Sequence, residues 1–234
     1  MQRKVLYRGI FEAVSQIKII DGHCHIALID KAKDGMDLFK LFSMFTGSTL
    51  LSMGMSEANL AQLSNPTINL SAKWNLFEPY WEKSFNTAYS RQFLKATTDL
   101  YGISVLNKET YPELSGRITE AYNDVEANWY RTVLKEKAGI ERGILDNGTT
   151  HVDPGCFFPT YRFESRRVPE YDRFITVRTR EDLEKIEEHY QRNIVRFDDF
   201  LKLFREVFTV RVKEGMVAVK LLLAVFRPLD FQQI

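Results

Sequence analysis

Ile19-Ile20-Asp21-Gly22-His23-Cys24-His25 is a short apolar run that delivers two histidines one residue apart. Side chains two residues apart on a strand point to the same face, so His23 and His25 can converge on one metal ion while Cys24 points the other way. Asp21 shares their parity and is placed to orient one imidazole from behind. The run sets a first strand at residues 17–26, with Lys18 as the only charge before Asp21. Paired histidines also occur as ordinary surface or core residues. Their place at a strand end, where barrel enzymes build their sites, favours the metal reading.

Before this strand, Leu6, Ile10, Phe11 and Val14 recur at helical spacing and predict a helix over residues 3–16. After it the period is helical from residue 30 to 137, with breaks expected at Asn65-Pro66, Gly102 and Pro112. A helical stretch of roughly a hundred residues between two strands is an insertion, since ordinary connections are a few residues long. Strand signals return with Ile140–Asp146, closed by the turn pair Asn147-Gly148. Asp172–Val177, with Phe174, Ile175 and Val177, reads as a third strand. Thr179-Arg180-Glu181-Asp182 opens a helix that runs, in one or two pieces, to Lys213. Met216–Leu223 is the near-continuous apolar run of a strand covered on both faces, and makes a fourth.

Strands alternating with helices predict an α/β protein, here a partial (β/α)8 TIM-type barrel with a large helical insertion after the first strand. Its parts are the first helix and strand at 1–29, the insertion at 30–137, and the second to fourth strands at 138–234. The other half of such a barrel lies outside this sequence. The open edges of a partial barrel need covering, so an oligomer or a partner chain completing the barrel is expected.

With 234 residues, 44% of them apolar, the chain can bury a substantial core. Its 32 basic and 31 acidic side chains leave a net charge of +1, which gives no reason to expect nucleic acid or a membrane surface as partner; the ligand, expected to be a small-molecule substrate, has to be argued from a site. Cys24 and Cys156 are too few for a disulfide framework or a four-cysteine zinc module, which suits a reducing cytoplasmic setting. Residues 1–5 carry charge without an apolar signal core. The apolar run 216–226 is interrupted by Lys220 and falls short of the ~20 residues a membrane helix needs.

Lys220 is flanked by Val217, Val219, Leu221, Leu222 and Leu223. Buried and unpaired it would be costly, so it either meets a carboxylate, another anion or a metal-linked group, or extends its amine to water at the strand end. Arg227, beside Pro228, can grip a substrate carboxylate through both guanidinium nitrogens or sit in a surface ion pair. His151, in the loop after the second strand, can reach the same rim or be merely solvated, while His189 in a charged helix reads as exposed. Trp74, Phe77, Tyr80, Trp81, Phe85 and Tyr89 recur at helical spacing, which means core packing first and a substrate-facing lid second. Phosphate-cradling glycine loops, nucleophile elbows and dinucleotide fingerprints are absent from the sequence.

Ile20-Asp21-Gly22-His23-Cys24-His25 on the first strand resembles the amidohydrolase superfamily, specifically the amidohydrolase-2 group that includes the domain fused to glutamine synthetase-type enzymes. Asp99-Leu100-Tyr101-Gly102, Trp129-Tyr130 through Ala138-Gly139-Ile140 into Leu145-Asp146, and Val219-Lys220 through Arg227-Pro228-Leu229 fit the same group. The resemblance implies that His23 and His25 bind a divalent metal, commonly zinc, that activates water or polarises the substrate. It implies a hydrolase, with some decarboxylases and isomerases among its members. The family's further ligands, histidines on the fifth and sixth strands and an aspartate on the eighth, would fall beyond Ile234.

Overall fold

The structure, a computed structural model, describes residues 2–27, 35–124, 128–164, 168–226, 228 and 230. The chain divides into two compact units, Met1–Ala27 with Leu134–Ile234 and, between them in sequence, Leu28–Val133. In the first unit, helix α1 (Gln2–Ser15) leads into strand β1 (Ile19–Cys24). The strand is shorter than its apolar pattern, and His25 stands just past its end.

The second unit is helical. Its helices are α2 (Met44–Ser52), α3 (Glu57–Leu63), α4 (Leu70–Ser84), α5 (Ala88–Tyr101) and α6 (Tyr111–Asn123). Asn65-Pro66 separates α3 from α4, and Asn69 starts α4 by accepting the Ala72 N–H at 2.8 Å. Gly102 ends α5 in the left-handed conformation, φ 70°, which costs a residue without Cβ little. The break expected near Pro112 is there as well: Pro112 lies in the first turn of α6, where its missing N–H has no helical partner to lose. Along α4, Trp74, Phe77 and Trp81 fall on one face and are buried with Phe39, Phe42, Leu50, Leu114 and Ile118. Rings of Phe42 and Phe77 meet edge to face with centroids 4.7 Å apart, and Trp74 stacks on Tyr111 at 4.6 Å. Of the six aromatic residues singled out in the sequence, Phe85 and Tyr89 remain exposed, and Tyr89 stacks on Phe45.

Returning to the first unit, β2 is Ile140–Leu145, β3 is Phe157–Tyr161 and β4 is Ala218–Val219, with α7 (Arg180–Tyr190) and α8 (Phe197–Lys213) between β3 and β4. The four strands form one parallel sheet in the order β1-β2-β3-β4, the arrangement of half a barrel. A capping box closes the start of α7, with Thr179 and Asp182 satisfying each other's N–H groups. Tyr161, Phe163, Phe174, Ile186, Leu203, Val207 and Met216 bury one another.

The third strand is a correction. Residues 172–177 form not a strand but two short 3₁₀ turns, Glu170–Asp172 and Phe174–Thr176. Asp172 is fully buried there and takes hydrogen bonds from the Tyr161 and Tyr190 hydroxyls and from Arg211 Nη2, the last at 2.7 Å. A carboxylate committed to three donors from three elements pins its own backbone where they converge, and the local apolar alternation cannot override that. The strand signal of Met216–Leu223 also shrinks to two paired residues, because β4 pairs with β3 over Thr160↔Ala218 and Tyr161↔Val219 alone.

Candidate metal centre

The strand ends build the site. His25 follows the last residue of β1, Asp146 the last of β2, Arg162 the last of β3 and Lys220 the last of β4. Polar residues at the carboxyl ends of parallel strands are where barrel folds place chemistry.

Strand β1 is irregular at the site. Asp21 stands opposite Gly143 and Cys24 opposite Leu145, so β1 spends three steps where β2 spends two. That extra residue is a bulge, a device that re-aims side chains next to sites. Asp21 Oδ1 accepts the backbone N–H of His23 at 3.1 Å beside the bulge. The expectation that Asp21 orients an imidazole is therefore corrected: its carboxylate holds the backbone of the irregular turn.

His23 and His25 do face the same way, with ring centroids 4.5 Å apart, while Cys24 is buried against β2. A Cβ on Gly143 would lie 2.9 Å from Cys24 Sγ and 3.4 Å from the Phe157 ring, so the missing side chain at Gly143 is what lets Cys24 pack. Burial pushes the Cys24 thiol up to about 11, helped by the Asp21 and Asp146 carboxylates, so it stays protonated at neutral pH.

Asp146 was not singled out by the sequence reading, and it completes the group. One ligand atom from each of His23, His25 and Asp146 lies within 4.8 Å of the others. Asp146 Oδ2 is 3.6 Å from His23 Nε2 and 3.8 Å from His25 Nε2, and its side chain is 2% exposed. The backbone carbonyl of Asp146 lies 2.8 Å from His25 Nδ1. A carbonyl can only accept, so Nδ1 carries the proton and the Nε2 lone pair is left facing Asp146 Oδ2. Lys220 Nζ lies 3.5 Å from His23 Nε2. The donor set of His23, His25 and Asp146 could hold a divalent ion of the nitrogen- and oxygen-binding kind.

Behind the group, Arg162 grips both oxygens of Asp146: Nε donates to Oδ1 at 2.6 Å and Nη2 to Oδ2, with both side chains buried. The sequence signal for Asp146 was an acid ending an apolar strand just before Asn147-Gly148. Arg162 followed a stretch with no strand assigned to it, so nothing marked it. No family model matches this chain, and a comparison with curated proteins finds no match either.

Other residues fall outside the group. Arg227 lies outside the described residues. His151 is exposed in its loop, and His189 is exposed and stacks on Tyr171 with ring centroids 3.4 Å apart. Cys156 is buried. Among the described residues, no helix is long and apolar enough to cross a membrane.

Proposed function

We propose that the chain carries the amino-terminal, metal-binding part of an amidohydrolase-type hydrolase, a (β/α)8-barrel enzyme acting on a small substrate with a carboxylate or amide group. Zinc is the ion this reading assigns to His23, His25 and Asp146. The observation that supports it is the row of strand ends: four consecutive parallel strands each hand a polar residue to one connected cluster. Bound there, the ion supplies Lewis-acid polarisation of a carbonyl and makes a water more acidic. His25 holds its lone pair forward through its hydrogen bond to the Asp146 carbonyl. Lys220, half-buried beside His23, offers its ammonium to a substrate carboxylate, and Arg227 would offer a second cation a few residues on. Further ligands come, in this reading, from strands added at the open edges of the sheet.

Metal content tests it. The protein purified after zinc loading should retain stoichiometric zinc, and a His23→Ala, His25→Ala double variant should lose it; a double variant that keeps its full metal sinks the proposal.

A second reading, a non-catalytic assembly module built on the same half-barrel, is favoured by the apolar surface left open on α1 and β1, where Val5, Leu6, Ile10, Phe11, Ile19 and Ile20 are all exposed. In that reading a partner chain covers this surface. Molar mass in solution separates the two: a metal-free monomer of this chain speaks against both.

A further inference from the structure

The pairing of Asp146 with Arg162 raises a question for the metal site, because a carboxylate already bound to a guanidinium has less charge to give an ion. The lone pairs decide it. A carboxylate offers about four acceptor positions. The Arg162 fork uses one on Oδ1 and one on Oδ2. Oδ2 also faces the two histidine Nε2 atoms, at 3.6 and 3.8 Å. Two parallel hydrogen bonds fix the plane of a carboxylate, as one bond or a point charge cannot. The fork has a backing of its own, since Arg162 follows directly on β3, whose Thr160 hydroxyl bonds the Leu145 carbonyl at 3.1 Å, one residue before Asp146.

We infer that Arg162 is a positioning residue of the metal centre: its planar fork holds the Asp146 carboxylate in the one rotation that turns an Oδ2 lone pair towards His23 and His25, and the fork stays closed while the ion is bound. The inference rests on the metal reading above and adds the part played by a residue that touches neither ion nor substrate. The rival role for Arg162 is simple neutralisation of a buried charge, which a lysine would also perform.

Three variants measured by Zn²⁺ titration distinguish the roles. Arg162→Lys keeps the charge and loses the fork, and it should weaken Zn²⁺ binding by about tenfold or more, as loss of a group that orients a ligand does. Asp146→Ala should weaken it too, and adding Arg162→Lys to Asp146→Ala should change the affinity by less than about twofold, because there is no carboxylate left to hold. Wild-type affinity in Arg162→Lys overturns the inference and leaves the metal site standing. Effects that add in the double variant overturn it as well, by showing that Arg162 acts otherwise than through Asp146. If the unaltered protein takes up no Zn²⁺, the metal reading itself fails and this inference falls with it.

The unaltered protein supplies a measurement that does not depend on Arg162→Lys folding. In the ¹⁵N-labelled chain, the Arg162 Nε–H resonance should shift as Zn²⁺ is added while its exchange with solvent stays slow. A resonance that exchanges rapidly once the metal is bound means the fork opens, and one that does not move means the ion does not reach the carboxylate that Arg162 holds; either overturns the inference.

Discussion

The helical unit and the strand-bearing unit close their cores to different degrees. In the helical unit, apolar side chains from α2, α4, α6 and the turn at Leu38–Leu41 bury one another, and Phe39, Phe77, Leu63, Leu114 and Ile118 reach complete burial. In the strand-bearing unit, the apolar cluster of buried residues lies where β3 meets α7 and α8, around Phe163 and Ile186. Its other flank, α1 and β1, leaves both neighbouring isoleucines of β1 exposed, although successive residues of a strand face opposite ways. Parallel strands are normally covered on both faces. The candidate metal ligands thus stand on the less finished side of the sheet, with His23 on its edge strand and His25 just past that strand's end.

The largest effect should come from the finished core. Phe77 is fully buried and meets Phe39, Phe42, Trp74 and Trp81 ring to ring. Phe77→Ala should cost about 3–5 kcal/mol, measured by chemical denaturation followed through tryptophan fluorescence. A loss below about 1 kcal/mol would mean that the aromatic cluster is not the closed core described here.

The closed part of the strand-bearing unit has a different signature, a buried polar knot that makes stability depend on pH. Burial, then hydrogen bonding to Asp172, pushes the Tyr161 and Tyr190 hydroxyls well above their ordinary value of 10. The folded form therefore keeps protons that the unfolded chain releases near pH 10. The stability these groups contribute is complete below pH 10 and is lost as pH climbs towards their folded values. The midpoint of urea unfolding should accordingly fall from pH 9 to 11. In Tyr190→Phe, which has one such proton fewer, the fall should be shallower, and an identical slope would show that Tyr190 does not contribute.

How much of this was legible beforehand follows from what each segment asks of its residues. The His23 and His25 pair could be read because parity along a strand is local. The bulge could not, since it exists only as a register against Gly143 and Leu145. β3 was hidden by Pro159, a residue that normally argues against a central strand. The Pro159 carbonyl accepts from Val217 N, so the missing N–H of the same residue falls on the β4 side, where pairing covers only two residues and little is lost. Asp172–Val177 misled for the opposite reason, because the partners of Asp172 come from 11 to 39 residues away. Asp146 and Arg162 belong to the same class: each has an unremarkable neighbourhood in sequence, and their meaning lies in a contact between strands.

The smallest effect on the isolated chain should come from the open flank. Phe11 is 60% exposed, stacks on the still more exposed Tyr7, and lies on a helix whose Arg8–Glu12 pair is itself solvent-screened. Replacing Phe11 with Ser removes little buried surface, so stability measured at low concentration should move by no more than about 0.5 kcal/mol. If a partner covers α1 and β1, as the assembly reading holds, the same substitution removes part of a buried interface, and the molar mass measured by light scattering should fall towards the monomer at equal concentration. A mass unchanged by Phe11→Ser, together with unchanged stability, would mean that the apolar flank of α1 has no partner in solution. The contrast between a closed and an unfinished side would then describe the surface of a stable monomer.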